Sequence, residues 1–251
     1  MKVSLLFPPT WHPSQPYLSL PSLTGFLTQA GIKDVSQRDL GIELLDKVLT
    51  QSFAHGLYQQ LVEKQRSLER ERTGETGPGS AEQLARVIES LDRFPYLFER
   101  IELAKETLRG EGFYDIEAYR NSLFLIDKWL EVLSSLYFPT RMTVVDNQFG
   151  DYSIYSSKDL IKAIRDEGQN PYISLFREHV LPSLLSDRPD LVGVSITATS
   201  QIIPGLTLCR LIKEHAPELH VTVGGSIFTR LVDNLRRCPW LFDLVDDCVV
   251  F

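Results

Sequence analysis

Four hydroxyl groups and one amide follow a short apolar segment in the last quarter of the chain. Residues 190–212 read DLVGVSITATSQIIPGLTLCRLI, in which a strand-like apolar run leads into polar side chains and then into helical spacing. The polar side chains are Ser195, Thr197, Thr199, Ser200 and Gln201. They offer small hydrogen-bond donors and acceptors to a ligand, or they cap the helix that follows.

A second candidate site is Gly224-Gly225-Ser226, which directly follows the apolar run HVTV. Two glycines without Cβ atoms let a bulky ligand approach the backbone. Ser226 would open the next helix, whose N–H groups favour an anion such as a phosphate. A tight strand-to-helix turn that binds nothing explains the glycine pair equally well, so both interpretations stay open.

A third candidate follows the first predicted strand, residues 2–7, where the sequence FPPTWHP begins. Two consecutive prolines lack N–H donors and therefore end the strand. The loop then offers Pro9, Thr10 and Trp11 as ligand contacts, although an aromatic side chain at this place can also fill the core. Ligands of open parallel sheets bind beyond the carboxyl ends of the strands, so the three candidates are expected to converge on one edge.

Alternating strand and helix patterns supply the elements that would position these residues. After residue 190 the chain reads as strand LVGVSI, helix PGLTLCRLIKEHAP, strand HVTVGG, helix SIFTRLVDNLRRC and strand LVDDCVVF. This alternation predicts an α/β fold with a Rossmann-like parallel sheet flanked by helices. Residues 1–43 and 146–251 form the predicted Rossmann-like domain. Residues 44–145 read as a large α-helical insertion, with an exposed loop at TGETGPGS.

Composition narrows the classes of function. The 251 residues carry a net charge of -7, which disfavours a nucleic-acid surface because phosphate binding relies on clustered Lys and Arg. No apolar run reaches the ~18 residues that span a bilayer, and MKVSLLFPPT turns polar and proline-rich too soon for the pattern expected of a signal peptide. Three scattered cysteines give no disulfide framework, so a cytoplasmic location is expected. The sequence stops within an apolar strand at Phe251, which predicts a fragment of a longer protein.

The motifs together resemble a known family. Ser195-Ile196-Thr197 is followed, after twenty-six intervening residues, by Gly224-Gly225, which is similar to the Ser-x-Leu and Gly-Gly pattern of cobalamin-binding domains. PPTWHPSQPYLSLPSLTGFL, RDLGIELLD and FPTRMTVVDNQFGDYSIYSSKDL extend the likeness to the N-terminal portion of cobalamin-dependent radical SAM proteins, closest to those that mature ribosomally made peptides.

The resemblance implies a cobalamin cofactor held by the candidate residues, with the hydroxyls facing its nucleotide tail. It also implies a downstream radical SAM domain that binds an iron–sulfur cluster and S-adenosylmethionine, a methyl transfer or other modification, and possible peptide substrates. The Cys-x-x-x-Cys-x-x-Cys motif of that domain is absent from this sequence, so this chain alone is not expected to be catalytic. No membrane or nucleic-acid partner is expected.

The sequence also lacks the Asp-x-His-x-x-Gly motif that supplies a lower cobalt ligand in many cobalamin carriers. His12 is the nearest equivalent and is the candidate metal ligand, although neither the Asp nor the Gly accompanies it. Because a histidine ligand usually needs a partner that orients it, the alternative leaves the lower face of cobalt without a protein nitrogen.

Two other classes of function remain open. One is a nucleotide- or sugar-nucleotide-binding Rossmann domain, which the lack of Gly-x-Gly-x-x-Gly after the first strand disfavours. The other is a non-catalytic interaction domain in which the helices of residues 44–136 present a partner surface.

Overall fold

The computed structural model describes residues 1–71 and 78–250 and divides the chain into two compact units. Unit 1 consists of Met1–Leu44 and Tyr152–Phe251, and unit 2 consists of Leu45–Asp151. The boundaries therefore lie at residues 44/45 and 151/152, beside the predicted positions 43/44 and 145/146.

The strands, in chain order, are β1 (Lys2–Phe7), β2 (Asp34–Asp39), β3 (Arg141–Met142), β4 (Asn147–Gln148), β5 (Leu191–Ser195), β6 (His220–Gly224) and β7 (Asp247–Cys248). Among the described residues, unit 1 contains a five-stranded parallel sheet in the order β2-β1-β5-β6-β7. The helices around it are α1 (Ser19–Gln29), α2 (Leu40–Val48), which runs into unit 2, and the later helices given below. The predicted α/β fold with a Rossmann-like parallel sheet is confirmed.

The apolar strands occupy the middle of the sheet because both of their faces are buried. Val3, Leu5, Leu6 and Phe7 of β1 are almost inaccessible to solvent. Gly193 of β5 pairs with Leu5, and a Cβ there would lie 2.9 Å from the Leu5 side chain, so the glycine permits this close pairing. β2 is polar, as the sequence predicts for an edge strand.

The remaining helices of unit 1 are α7 (Ser157–Ala163), α8 (Pro171–His179), α9 (Leu181–Ser186), α10 (Ile202–His215), α11 (Ser226–Arg230) and α12 (Val232–Leu235). Residues 203–212 of α10 are all buried. α1 ends in a Schellman motif at the predicted stop, since Gly31 has φ +91° and Ile32 N–H donates to Leu27 O at 2.9 Å.

Three predicted elements of unit 1 differ from the structure. The apolar spacing of residues 171–188 predicts one amphipathic helix, but the segment forms two, because Pro182 has no N–H to continue the first helix. The predicted helix SIFTRLVDNLRRC is likewise divided at Leu231. The predicted last strand is reduced to β7, and a 3₁₀ helix, Pro239–Asp243, precedes it.

Unit 2 contains the predicted helices and a short hairpin of β3 and β4. Its helices are α3 (Gln51–Glu71), α4 (Pro78–Phe98), α5 (Ile101–Arg109) and α6 (Ile116–Ser134). Trp129 is fully buried and donates its indole N–H to Val48 O at 2.9 Å. Residues 73–77 of the predicted TGETGPGS loop lie outside the described residues, and the helix already begins at Pro78, inside that predicted loop.

Within the two described stretches, no helix has both the length and the apolar character needed to cross a membrane.

Candidate functional site

The order of the strands defines one preferred edge for a ligand. Numbered within unit 1 alone, the strands follow the doubly wound order 2-1-3-4-5, and the order reverses between β1 and β5. Ligands of such sheets bind beyond the carboxyl ends of the strands at this switch point. Pro8 follows β1 there, and Ile196 follows β5, where its N–H donates to Gly224 O of β6 at 2.8 Å. The predicted convergence of the three strand ends is confirmed.

Thr10 and Ser200 join the loops that follow β1 and β5. The Ser200 hydroxyl donates to Thr10 O at 3.0 Å, and the single proton of the Thr10 hydroxyl is shared between Ser200 O at 2.8 Å and Pro9 O at 2.5 Å. Thr10 is buried and has φ +71°, a left-handed backbone that a β-branched residue rarely adopts. Such strain persists only where the surroundings over-determine it, and it is concentrated at functional sites. The paired hydrogen bonds supply this constraint.

Gln201 lies beneath the same two loops and is fully buried. Its amide nitrogen donates to Pro8 O at 2.7 Å, and its amide oxygen accepts from the Thr197 N–H, the Thr197 hydroxyl and the Ala198 N–H at 3.0 to 3.1 Å. These bonds use the amide's hydrogen-bonding groups within the protein. The predicted contact of Gln201 with a ligand is therefore revised: the side chain braces the loops.

The other hydroxyl groups of the site differ in their hydrogen bonds within the protein and in their exposure to a ligand. The Ser195 hydroxyl is buried and donates to the Ser19 hydroxyl at 3.0 Å, and the Ser226 hydroxyl donates to Thr197 O at 2.9 Å. Thr199 is exposed and makes no hydrogen bond through its side chain within the described residues. Thr199 and the exposed Ser226 are thus the hydroxyls most accessible to a ligand, whereas Ser195 serves the packing of α1.

The sequence suggests that Gly225 is a glycine so that a ligand can approach the backbone, but the structure gives a different reason. Its φ is +111°, and a Cβ at this position would lie 2.2 Å from Ile196 O. The protein's own backbone therefore fills the space that was predicted for a ligand. A Cβ on Gly224 would lie 3.4 Å from Val249, an ordinary contact. The Gly225 backbone closes the loop of β6 onto the loop of β5.

Trp11 packs into the protein. Its ring meets Phe7 edge to face at 6.1 Å and Tyr17 at 5.1 Å, and its indole N–H donates to Gln15 O. The same ring lies against the core cluster of Val3, Leu5, Phe7 and Leu20. Of the two interpretations of Trp11, the geometry supports a role in the core. Pro9 is also buried.

His12 is half-buried, and its Nδ1 faces Ser14. The Ser14 hydroxyl lies 2.8 Å from Nδ1, and the Ser14 backbone N–H donates to Nδ1 at 3.3 Å. Because a backbone N–H can only donate, Nδ1 is the acceptor, and the proton of the neutral ring is on Nε2. A metal ligand needs an unprotonated nitrogen, so this tautomer disfavours His12 as a cobalt ligand. The described residues contain no cluster of three or more His, Cys, Asp or Glu side chains suited to a metal ion.

A cavity of about 450 Å³ adjoins these loops, and we call it the rim cavity. Ile154, Leu160, Ile196, Leu206, Phe228 and Trp240 are among the residues that line it. Its walls are mostly apolar, but the Trp240 indole N–H is buried and has no hydrogen-bond partner within the described residues. The N–H is closed off from solvent, so a ligand in the cavity would reach it only after the Trp240 side chain moved.

The three loops form an electrostatically neutral surface. Residues 8–15, 195–201 and 224–226 contain no Asp, Glu, Lys or Arg. The adjacent carboxyl group on this edge of the sheet is Asp39 at the end of β2, opposite Phe7. Burial raises the pKa of Asp39, and N–H bonds from Ile42 and Gly41 offset part of the rise. The site is therefore suited to a ligand with neutral polar groups.

Several residues of the site were not predicted from the sequence. Trp240, Ile154 and Leu160 line the rim cavity, yet no local pattern relates them to Ile196. Gly205 of α10 does carry a signal, because a glycine inside a helix marks a close approach. A Cβ on Gly205 would lie 2.5 Å from the Ile196 side chain and 3.3 Å from Pro8.

Comparison of the chain with protein-family models, curated proteins and solved structures gives no match. The function is accordingly argued from the geometry and chemistry of the site.

Proposed function

We propose that unit 1 binds cobalamin at the carboxyl edge of its sheet and serves as the cobalamin-binding domain of a radical SAM enzyme. The observation that carries the proposal is the uncharged surface that three loops form at the switch point of a doubly wound sheet, beside the apolar rim cavity. The motif resemblance around Ser195 and Gly224 selects cobalamin among the ligands that such a surface accepts.

The residues present fit a corrinoid in two respects. A corrin ring carries neutral amide arms, which exchange hydrogen bonds with hydroxyls such as Thr199 and Ser226 without a charged partner. The rim cavity has the volume of a small-molecule pocket and mostly apolar walls, so it can enclose an apolar part of the ligand. A cavity of this size holds part of a cobalamin molecule while the remainder lies over the edge.

A nucleotide fits the same edge less well. Phosphate recognition relies on Lys or Arg, or on a glycine-rich turn before a helix, and the loop after β1 has neither. Gly225 is occupied by contact with Ile196 O and is not available to cradle a phosphate. The choice of cobalamin over a nucleotide therefore rests on the motif resemblance and on the absence of a glycine-rich phosphate turn after β1.

When bound, cobalamin would supply a cobalt centre for group transfer, most commonly of a methyl group. The protein's own residues hold and shield the ligand. Thr10, Ser200 and Gln201 fix the loops, and the apolar walls of the rim cavity exclude water. We propose that His12 would not hold the metal, since its Nδ1 accepts from the Ser14 N–H.

The rest of the proposed enzyme lies outside these residues. Cys209, Cys238 and Cys248 are too far apart in sequence for the iron–sulfur motif. A radical SAM domain would bind the iron–sulfur cluster and S-adenosylmethionine, and the substrate would be a peptide or another natural product. The free thiols agree with a reducing compartment, so we propose a cytoplasmic location.

The test is reconstitution of the purified chain with hydroxocobalamin, followed by gel filtration and absorption spectroscopy. A corrinoid spectrum that elutes with the protein is expected, with a dissociation constant below about 100 μM. A nucleotide panel in thermal-shift assays provides the comparison, and no stabilisation is expected from it. Stabilisation by a nucleotide without corrinoid binding would overturn the proposal.

Two matched variants locate the ligand. Leu231→Trp fills the mouth of the rim cavity from an exposed position, and Leu103→Trp makes the same change on an exposed position of unit 2. Leu231→Trp is expected to weaken cobalamin binding at least tenfold, about 1.4 kcal/mol, whereas Leu103→Trp leaves it unchanged. Equal affinities for both variants would exclude the rim cavity as part of the site.

A further inference from the structure

Unit 2 contains a second cavity of about 300 Å³, which the proposed function of unit 1 does not use. We call it the basic cavity. It lies between α4 and the end of α6, and it is lined by Arg86, Glu89, Ser90, Arg93, Lys128, Glu131, Val132, Ser134, Ser135 and Arg141. Four cationic and two anionic side chains leave a local excess of positive charge in a protein whose net charge is -7.

Ion pairs account for part of this positive charge. Lys128 Nζ lies 2.7 Å from Glu131, and Arg93 Nη2 lies 2.5 Å from Glu89. Arg86 pairs at 2.8 Å with Glu82, which does not line the cavity, and its guanidinium lies over the Phe138 ring at 4.8 Å. These partners hold the guanidinium and ammonium groups at the wall of the cavity.

Two groups on the same cavity are left without partners. Arg141 makes no ion pair with any described residue, although its side chain carries a full charge. Ser90 is only 6% exposed, and its hydroxyl makes no hydrogen bond within the part of the chain that the structure describes. The Ser90 hydroxyl oxygen is not fully enclosed, so water or a ligand in the cavity can reach it. A single bound anion would satisfy both groups.

The negative C-terminal end of α6, beside the basic cavity, does not cancel the preference of the cavity for an anion. α6 ends at Ser134, and the carbonyl end of a helix carries about half a negative charge. The hydroxyls of Ser134 and Ser135 donate to carbonyl groups of the same helix, at 3.0 and 2.7 Å, so they neutralise part of that end. The excess of guanidinium and ammonium groups remains larger than the helix contribution.

We propose that the basic cavity binds the phosphate group of a small phosphorylated molecule. Planar guanidinium groups match phosphate oxygens in pairs, and a charge-assisted bond from the Ser90 hydroxyl completes the set of donors. The cavity is concave and small, which suits a metabolite-sized ligand better than an extended polymer.

The experiment is calorimetric titration of the full chain, in a phosphate-free buffer of low ionic strength, with inorganic phosphate, glycerol 3-phosphate and citrate. Both phosphates are expected to bind, glycerol 3-phosphate more tightly. Stronger binding of citrate than of either phosphate would overturn the phosphate assignment, and so would the absence of binding by all three ligands.

Arg141→Gln is the main variant, since Arg141 is exposed and its loss is not expected to affect folding. Arg120→Gln is the matched control, because Arg120 is also exposed and has no ion pair among the described residues. Arg141→Gln is expected to weaken glycerol 3-phosphate binding at least tenfold and Ser90→Ala by about threefold or more. Equal losses in the Arg141 and Arg120 variants would show only a general charge effect and would overturn the proposal.

Hydroxocobalamin serves as the second probe, because its own phosphodiester could seek the same cavity. Its binding is expected to be equal in the wild type and in Arg141→Gln. If Arg141→Gln weakened the binding of both cobalamin and glycerol 3-phosphate, the proposal that the basic cavity is a separate site would be overturned. If Leu231→Trp weakened only cobalamin binding, the result would concern the proposed site in unit 1 and leave the basic cavity unaffected.

Discussion

Thr10 and Ser200 exchange two hydrogen bonds, each hydroxyl donating to the other residue's carbonyl oxygen. The pair joins the loops after β1 and β5, the two strands between which the strand order reverses. The hydroxyls that look like ligand contacts in the sequence are here the groups that hold the binding edge together.

Removal of the Ser200 hydroxyl tests the contribution of this joint, the pair of hydrogen bonds between Thr10 and Ser200. Ser200→Ala is expected to lower the free energy of unfolding by about 1 kcal/mol, because Thr10 O loses its donor. Ser22→Ala, on an exposed face of α1, is expected to change it by less than about 0.5 kcal/mol. Urea denaturation of both variants measures the difference. Equal stabilities would mean that the joint contributes nothing to folding.

Gly225 is expected to tolerate no side chain. Gly225→Ala places a Cβ against Ile196 O in a left-handed backbone, so a loss of about 2 to 4 kcal/mol in unfolding free energy is expected. Gly25→Ala is the control, because no atom lies within 4 Å of its Cβ position in α1. Alanine there is expected to stabilise the protein by about 0.5 to 1 kcal/mol. Thermal unfolding distinguishes the two, and a stable Gly225→Ala would contradict the described contact.

The Trp240→Phe substitution tests separately whether the indole N–H contributes to cobalamin binding and to the free energy of unfolding. Trp240→Phe removes a buried donor that has no partner in the described residues, which offsets the loss of packing, so the unfolding free energy is expected to change by less than about 1 kcal/mol. Cobalamin binding is expected to weaken by less than about threefold, because the N–H is closed off from solvent and a ligand in the rim cavity does not reach it. Titration with hydroxocobalamin checks this result, and a loss of about tenfold or more would show that the indole N–H reaches the ligand.

The cysteines are expected to differ in their reactivity. Burial raises the pKa of Cys209 to about 12 and that of Cys248 to about 11, so neither thiol ionises appreciably near neutral pH. Cys238 is half-buried and is expected to react first with a thiol reagent. Labelling of the native protein, with Cys238→Ser as the control, is expected to leave Cys209 unmodified until urea unfolds the chain. Rapid labelling of native Cys209 would contradict its burial in α10.

Asp246 is expected to make stability depend on acid pH. Burial alone would raise its pKa, but bonds from Lys213 at 2.9 Å and from the Val221 N–H at 2.7 Å outweigh it and lower the pKa below 3.8. A lowered folded-state pKa contributes stability above pH 3.8 that is lost as the pH falls through the folded value. Asp246→Asn is expected to cost about 1 kcal/mol near neutral pH, less than a buried pair because the carboxyl is partly exposed.

The measurement for Asp246 is urea denaturation at about pH 7 and about pH 3. The difference between wild type and Asp246→Asn is expected to shrink at the lower pH, where the wild-type carboxyl gains a proton. Asp233→Asn, on an exposed residue of α12, is the control and is expected to have no effect at either pH. A constant difference would show that the carboxylate charge is not involved.

The sheet could be predicted from the sequence because its strands are short, apolar and bounded by clear breakers. Lys2–Phe7 ends at two prolines as predicted, and the parallel order of β1, β5 and β6 follows from the strand and helix alternation. The breaks inside residues 171–188 and 226–235 were missed because apolar spacing continues across them. The spacing of apolar residues does not show that Pro182 lacks the N–H that a continuous helix would need.

The fine structure of the site could not be predicted, because it depends on contacts between distant residues. Nothing in the local sequence relates Thr10 to Ser200 or Trp240 to Ile196. The sequence marks Gly225 as a special position, but it does not show whether a ligand or the protein's own backbone occupies the space beside a glycine.

The brace formed by Gln201 has a consequence for the kinetics of recognition. Because its amide already fixes Pro8, Thr197 and Ala198, the loops are ordered before any ligand arrives. A preorganised surface loses little conformational entropy on association, so less of the interaction energy is spent on ordering the receptor. Capture is then expected to follow a single bimolecular phase whose rate rises linearly with ligand concentration, without a slow rearrangement step.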